Sequence, residues 1–344
     1  MIDRILIVGL GSIGKRHLSI ARHLYPNSEI QVLRHPKSEK GPSLDFAEFY
    51  SIEHAKKFLP DLVVICNPAP FHVEVALDLV DYSSNFLIEK PVAKSTADAL
   101  KLLKVCELKN KLLMVGYNLR FANSLREFRV LISGGLIGVP QSFRCEVGQY
   151  LPTWRPKQDY RTSVSAKKEF GGGVLLELSH EIDYLRWIFG EVKWVRATLS
   201  KQSELEIDVE DTAHLILCFE TNRYSKQLIG TLNMDFIRHD KERSCTVIGE
   251  NGSLRWDGTS GEILLYRKGD NSWKRVYVDS SGLDKTYYAE WEDLIKAIET
   301  KGSPSVTGTD GLRVLEIIEA ARISADTGLQ MPVEKSELKV IYPK

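Results

Sequence analysis

A glycine-rich segment near the amino terminus has the spacing of a phosphate-binding loop. It fits G-x-G-x-x-G, follows an apolar run and opens an amphipathic one. In this context the first glycine permits a tight turn, the second lets a pyrophosphate approach the backbone, and the third lets the helix pack closely on its strand. The amides that begin the helix would complete the anion site. The predicted site is Gly9, Gly11, Ser12, Ile13 and Gly14, and a glycine-rich turn without a ligand is the alternative.

The end of the second apolar run bears on the choice of dinucleotide. An acidic residue there would bind the ribose hydroxyls of NAD, but Arg34 and His35 follow Leu33. A guanidinium offers a planar fork of donors that suits a 2′-phosphate. We therefore predict NAD(P) as the cofactor, with Arg34 and His35 in its site and NADP favoured over NAD by a small margin. A solvated basic loop is the alternative interpretation.

Residues 1–120 alternate short apolar runs with longer amphipathic ones, which is typical of a parallel sheet with crossover helices. The runs are apolar at consecutive positions, as expected when both faces of a sheet are covered. The predicted strands are 5–8, 30–33, 62–66, 86–88 and 112–115, and the predicted helices are 14–24, 71–81 and 96–109.

Beyond residue 120 strand-like segments follow one another with few helices between them, which predicts a mostly antiparallel open sheet in an α+β domain. Trp291 lies in an apolar pattern and is predicted to be core. The predicted strands are 141–149, 192–199, 212–220, 227–235, 245–249 and 263–267, and the predicted helices are 123–132, 177–188, 288–300 and 311–327.

The composition excludes several classes of protein. Apolar residues make up 43% and charged residues 27%, and 46 basic residues balance 46 acidic ones. Disorder is therefore not expected, and neither a nucleic-acid nor a membrane partner is indicated. The five cysteines are far apart without a C-x-x-C pair, so we predict reduced thiols in the cytoplasm and no metal site. The first apolar run starts at once, so no leader peptide is expected.

Further motifs follow the glycine loop in a fixed order, and together they resemble the Gfo/Idh/MocA oxidoreductases over nearly the whole chain. The tripeptide Glu89-Lys90-Pro91 alone would be a weak signal, but the ordered set is specific. The other motifs are Asn67-Pro68 with His72, the hexapeptide at 116–121, Gly171-Gly172-Gly173 before His180 and Asp183, and Asp310-Gly311-Leu312.

This resemblance implies an α/β fold with two domains. Residues 1–120 would form an NAD(P)-binding Rossmann domain with a doubly wound parallel sheet. Residues 121–344 would form a C-terminal domain for substrate binding and oligomerisation, so a homo-oligomer, either a dimer or a tetramer, is expected. The resemblance also extends the predicted cofactor site to Asn67, Pro68, His72, Glu89 and Lys90.

Lys90 is the predicted acid/base. Hydride transfer from an alcohol requires that the hydroxyl proton also leave, and a nearby base is the standard device. Lys90 follows a predicted strand and lies at the edge where open α/β sheets bind ligands. The alternative is a structural lysine paired with Glu89.

His180 and Asp183 are predicted to share a helix face with Glu177 and to act on the same ligand. Many family members carry an aspartate four residues before the histidine; here Glu177 lies three before it. A structural His–Asp pair is the alternative.

Substrate contacts are predicted in two places. The segment 150–161 combines aromatic residues, which stack on sugar rings, with arginines, which hold carboxylates or phosphates. A lid or an interface loop is the alternative for this segment. The predicted substrate residues are Asn118, Arg120, Trp154, Arg155, Arg161, Glu177 and His180.

The sequence thus predicts an NAD(P)-dependent dehydrogenase or reductase acting on the hydroxyl or carbonyl carbon of a small sugar, cyclitol or nucleotide-sugar. Two alternatives stay open. One is an enzyme whose tightly bound NAD is recycled within the cycle, giving epimerisation or glycosidic cleavage. The other is a non-catalytic dinucleotide-binding redox sensor, because a fold alone does not establish activity.

Overall fold

The computed structural model describes residues 2–35, 47–221, 227–282 and 284–338. The chain divides into two compact units. The first unit gathers the described parts of Met1–Tyr117, Tyr287–Leu315 and Ser336–Lys344, and the second those of Asn118–Thr286 and Glu316–Lys335.

The first unit is built on a six-stranded sheet in the order β3-β2-β1-β4-β5-β6, with every pair parallel. This confirms the predicted doubly wound sheet. Side chains along β4 are fully buried because helices cover both faces. Serine caps begin two of these helices: Ser51 accepts from the Glu53 amide and Ser95 from the Asp98 amide. The elements are β1 (Arg4–Val8), α1 (Ser12–Leu24), β2 (Glu29–Leu33), β3 (Ala47–Phe49), α2 (Ile52–Phe58), β4 (Leu62–Ile65), α3 (His72–Leu79), β5 (Asn85–Glu89), α4 (Thr96–Leu108) and β6 (Leu112–Gly116).

The second unit carries a nine-stranded sheet in the order β14-β13-β12-β11-β7-β10-β9-β8-β15. Only the β7–β10 pair among these described strands is parallel, which confirms the mostly antiparallel prediction. Phe143, Phe189 and Phe219 pack together on the inner face, with ring centroids 5.3–5.6 Å apart. The elements are α5 (Asn123–Ser133), β7 (Pro140–Gly148), α6 (Val174–Glu177), α7 (His180–Phe189), β8 (Val192–Ser200), β9 (Thr212–Phe219), β10 (Ile229–Asp235), β11 (Glu242–Gly249), β12 (Gly252–Asp257), β13 (Glu262–Arg267), β14 (Lys274–Val278) and β15 (Met331–Pro332).

Two long helices, α8 (Asp284–Thr300) and α9 (Gly308–Thr327), lie between β14 and β15 in the sequence. Residues 287–315 of these helices belong to the first unit, whereas the sequence assigned the whole of 121–344 to the second domain. The packing accounts for this difference: an added side-chain carbon at Gly311 would meet Val92 and Val115, so the glycine lets α9 approach the first sheet closely.

The predicted helix 177–188 differs from the structure, which has two helices there. Helix α6 ends at Glu177 and α7 begins at His180. No helix within the described ranges is long and apolar enough to cross a bilayer.

Candidate cofactor and catalytic site

The glycine loop has the geometry that a pyrophosphate site requires. Gly9 has φ +88°, and a side-chain carbon there would come within 2.9 Å of the Asn67 nitrogen. A side chain at Gly14 would collide with the Gly9 carbonyl, so α1 can lie against the loop only with glycine at that position. Nothing lies within 4 Å of the corresponding position at Gly11, which leaves space over the backbone at the start of α1. Ser12 and Ile13 occupy the first turn of this helix, where amides lack an intrahelical acceptor.

Asn67 and His72 connect this loop to the segment that follows β5. The two ring nitrogens of His72 lie 2.6 Å from the Asn67 carbonyl oxygen and 3.0 Å from that of Pro91. Burial lowers the pKa of His72, while hydrogen bonding to the two carbonyls acts in the opposite direction. His72 is 1% exposed, and its predicted place in the cofactor site stays a prediction. It holds together two backbone segments.

The side-chain oxygen of Asn67 is buried and makes no hydrogen bond to any described residue. Because buried polar atoms in folded proteins are nearly always bonded, this oxygen has capacity for a donor from a bound group. Together with the space over Gly11, it indicates that these residues fit a dinucleotide. Pro68 follows directly and precedes the 3-10 turn Ala69–Phe71.

A series of buried hydrogen bonds ends at the backbone amide of Lys90. The indole N–H of Trp291 donates to Nδ1 of His17 at 2.9 Å, so Nδ1 is an acceptor and Nε2 carries the proton of the neutral ring. Nε2–H then donates to Glu89 Oε1 at 2.9 Å, and the Lys90 amide donates to Glu89 Oε2 at 3.2 Å. His17 lies on α1, so Glu89 connects the helix after the glycine loop to the backbone of Lys90. Lys90 itself is half-buried at the carboxyl end of β5.

Glu290 lies beside this series with neither carboxyl oxygen hydrogen-bonded to a described residue. It is fully buried. Desolvation, reinforced by the charge of Glu89, raises the pKa of Glu290 well above its ordinary value. The nearby thiol of Cys66 responds to the same surroundings, since burial and the two carboxyls raise its pKa as well. Burial and the neighbouring carboxyl therefore both favour the protonated form of Glu290.

Arg34 lies beyond β2, where the sequence predicts it, and it contacts an acidic residue. Its Nη1 lies 3.2 and 3.3 Å from the carboxylate oxygens of Glu48 on β3. The Tyr50 hydroxyl also donates to that carboxylate, at 3.0 Å. His35 is exposed beside Arg34.

In the second unit, two predicted site residues bind each other. Arg120 donates twice to Asp183, from Nε at 2.8 Å and from Nη2 at 2.6 Å. Both side chains are buried, at 4% and 1% exposure. The bidentate pair joins two residues that the sequence analysis placed in separate roles, and the predicted actions of Asp183 with His180 and of Arg120 on substrate stay predictions.

The other predicted site residues of the second unit each have contacts of their own. His180 begins α7 and is half-buried. Glu177 accepts from the Ser165 hydroxyl at 3.1 Å. Asn118 is buried, and its amide donates to the Thr286 hydroxyl at 2.7 Å, so this group also serves the fold.

The loop after β7 contains 3-10 turns. Its tryptophan packs against the protein, whereas its arginines lie at the surface. Trp154 packs edge-on against Phe236 and donates to the Gln149 carbonyl at 3.0 Å. Arg155 is exposed. Arg161 is half exposed and donates two hydrogen bonds to Asp159, so its positive charge is paired at the surface.

Sequence reasoning missed His17, Glu48 and Glu290 as members of this site. The spacing of His17, three residues after Gly14 on one face of α1, was a signal that could have been used. Glu48 and Glu290 carried no such signal, because their contacts join distant parts of the chain. Within the described residues no cluster of three or more histidine, cysteine or carboxylate side chains could hold a metal ion.

Comparison with known proteins agrees with this geometry. Residues 4–117 match the family model described as "Oxidoreductase family, NAD-binding Rossmann fold", and residues 129–334 match "Oxidoreductase family, C-terminal alpha/beta domain". Myo-inositol 2-dehydrogenase of Thermotoga maritima is 25% identical, covering 96% of this chain and 99% of that protein.

Solved structures show the same fold over the whole length. A levoglucosan dehydrogenase in complex with NADH and L-sorbose has a TM-score of 0.81 at 21% identity, covering 96% of this chain and 98% of that one. The WlbA dehydrogenase from Bordetella pertussis, in complex with NADH and UDP-GlcNAcA, has a TM-score of 0.78 at 22% identity, covering 98% and 100%. With both domain models matched, this chain belongs to the Gfo/Idh/MocA family of NAD-binding oxidoreductases.

Proposed function

We propose that this protein is an NAD(P)-dependent dehydrogenase or reductase that acts on a hydroxyl-bearing carbon of a sugar, cyclitol or nucleotide-sugar, with Lys90 as the acid/base. The single observation that carries the proposal is the set of contacts joining the glycine loop, Asn67 and the segment Lys90-Pro91 through His72. These contacts lie at the carboxyl ends of parallel strands, where open α/β sheets bind ligands.

The chemistry divides between cofactor and protein. When bound, a nicotinamide cofactor supplies or accepts the hydride. The chain's own task is to move the hydroxyl proton, for which the Lys90 amine is the group we assign. Glu89 orients the Lys90 backbone through its amide, and His17 fixes the carboxylate of Glu89. His180 is proposed to share the proton transfer or to orient the substrate hydroxyl.

The substrate class follows from the relatives. Proteins with this chain's domain arrangement are named for action on inositol and levoglucosan, and one solved relative holds UDP-GlcNAcA. We infer a polyhydroxylated substrate of this kind for the present chain.

The test is a Lys90→Ala variant studied with a panel of sugars, cyclitols and nucleotide-sugars and either nicotinamide cofactor. We expect turnover to fall by about 10²- to 10⁴-fold, the usual contribution of a positioned acid/base. Binding of the reduced cofactor, followed by energy transfer from tryptophan, should remain within about threefold of wild type.

Lys94→Ala is the matched control, since Lys94 is exposed and lies four residues further along the same segment. It should leave turnover unchanged. Wild-type turnover by a folded Lys90→Ala protein would contradict the assigned role, and a wild-type protein that binds neither NADH nor NADPH would contradict the proposed function itself.

We also propose that the protein forms a homo-oligomer through the outer face of the nine-stranded sheet. That face exposes aliphatic side chains at Ile216 and Ile229, at 40% and 37%. An Ile216→Lys variant should dissociate the assembly, which light scattering after size-exclusion chromatography would detect. A monomeric wild-type protein would contradict the proposal.

A further inference from the structure

The third strand of the first unit brings an acidic residue to the edge where a dinucleotide's ribose is selected. Strand β3 pairs with β2 in parallel, with Glu48 opposite Val32. The Arg34 amide donates to the Phe49 carbonyl at 2.9 Å, which holds the residue after β2 against β3. The Gly9 amide donates to the Leu33 carbonyl at 2.9 Å, so the same edge is joined to the glycine loop.

The Arg34–Glu48 contact is more than a surface ion pair. The two side chains are 16% and 17% exposed, so solvent screens their charges less than those of an exposed pair. Both carboxylate oxygens lie near the same guanidinium nitrogen, and the Tyr50 hydroxyl donates to one of them. Glu48 is therefore held in place from two sides.

This arrangement changes what Arg34 offers to a ligand. A 2′-phosphate binds best to a guanidinium whose paired donors and positive charge are available to it. Here a carboxylate already lies against Nη1, so a phosphate would have to displace a negative group and then remain close to it. Like charges at such a distance repel, and the ribose hydroxyls of NAD meet no such penalty.

We propose that Glu48 is the cofactor-selecting residue of this protein and that it selects NAD over NADP by holding the guanidinium of Arg34. This rests on the proposed function, since it presumes that a nicotinamide dinucleotide binds at the glycine loop. It reverses the preference that Arg34 indicates when the sequence is considered alone.

The test compares the binding of NADH and NADPH to the full-length protein by energy transfer from tryptophan to the reduced nicotinamide. The wild-type protein should bind NADH more tightly. Glu48→Gln removes the negative charge beside Arg34, so the dissociation constant for NADPH should fall about tenfold while that for NADH changes less than threefold.

A double variant, Glu48→Gln with Arg34→Ala, isolates the mechanism. If the gain in NADPH binding comes from the guanidinium, the double variant should lose it. Arg34→Ala alone should change NADPH binding by less than threefold, because Glu48 already holds that group in the wild-type protein.

Glu53→Gln is the matched control, since Glu53 pairs with Lys56 at the surface of the same unit and should leave both constants unchanged. Thermal unfolding of each variant verifies that it is folded. A wild-type preference for NADPH, or an unchanged NADPH-to-NADH ratio in folded Glu48→Gln, would overturn the inference while leaving the proposed function intact. Binding of neither cofactor to the wild-type protein would instead overturn the proposed function, and this inference with it.

Discussion

In the first unit the buried carboxyl of Glu89 accepts from a histidine ring and a backbone amide, whereas in the second the buried carboxyl of Asp183 accepts from a guanidinium. The difference lies in how each charge is balanced. Asp183 receives two charge-assisted hydrogen bonds from Arg120, which together form a neutral pair. Glu89 receives an imidazole N–H and a backbone N–H, neither of which carries a full charge.

Burial depth alone therefore does not set the surroundings of an acidic side chain. Glu89 and Asp183 each accept two hydrogen bonds. Glu290, which is also buried, accepts none from the described residues, and desolvation together with the charge of Glu89 raises its pKa well above the ordinary value. The number of available donors is what distinguishes these three buried acids.

The largest effect is expected from breaking the pair in the second unit. Arg120→Met removes the guanidinium that pairs with the buried Asp183 carboxylate, which should lower the free energy of unfolding by about 3–5 kcal/mol. Urea denaturation monitored by far-UV circular dichroism measures this change. The double variant Arg120→Met with Asp183→Leu should recover much of it; a single variant as stable as wild type would show that the pair does not balance a buried charge.

A smaller loss is expected from removing the neutral donor in the first unit. His17→Phe keeps a ring of similar shape but takes one hydrogen bond from Glu89 and leaves the Trp291 N–H without its acceptor. The free energy of unfolding should fall by about 1–3 kcal/mol, the usual penalty for unsatisfied buried groups. A loss as large as that of Arg120→Met would contradict the distinction between the two carboxylates. His23→Phe, on the same helix but exposed, serves as control.

The smallest effect, at pH 5, is expected for Glu290→Gln, because glutamine resembles the protonated acid. As pH rises, Glu290 ionises in the unfolded chain at its ordinary pKa but stays protonated in the folded protein, so the wild-type protein loses stability with increasing pH. The variant does not, and its advantage should grow by at most about 1.4 kcal/mol per pH unit until the folded-state pKa is reached.

Urea denaturation at pH 5, 6, 7 and 8 measures this dependence. The control is Glu292→Gln, an exposed position two residues along α8, whose difference from wild type should not change with pH in this way. A Glu290→Gln advantage that is constant between pH 5 and 8 would show that Glu290 is ionised in the folded protein.

The sequence predicted those parts of the fold that local pattern controls. Strand β4 is apolar throughout, and the glycine loop has an unambiguous strand before it and helix after it, so both were predicted within one or two residues. Strands β3, β12, β14 and β15 and helix α2 were missed. Strand β3 has three residues and β15 two, and β14 exposes most of its side chains, so these three lack the alternation that marks a half-buried strand.

The candidate site was less predictable because its contacts are long-range. Trp291 was expected in the core and is fully buried, but its hydrogen bond to His17 spans 274 positions and no spacing rule indicates it. Arg120 and Asp183 were predicted to have separate roles on a ligand. Only the folded structure shows that they form a salt bridge, since they lie 63 positions apart in the sequence.

The contact between Trp291 and His17 also orders events during synthesis of the chain. Domains tend to fold from the amino terminus as the ribosome proceeds. The strands of the first sheet are all made by residue 116, yet the indole that fixes the tautomer of His17 is not translated until after the whole segment 118–286. The nascent first unit therefore lacks the hydrogen-bond donor to His17 until the segment that contains Trp291 has been translated.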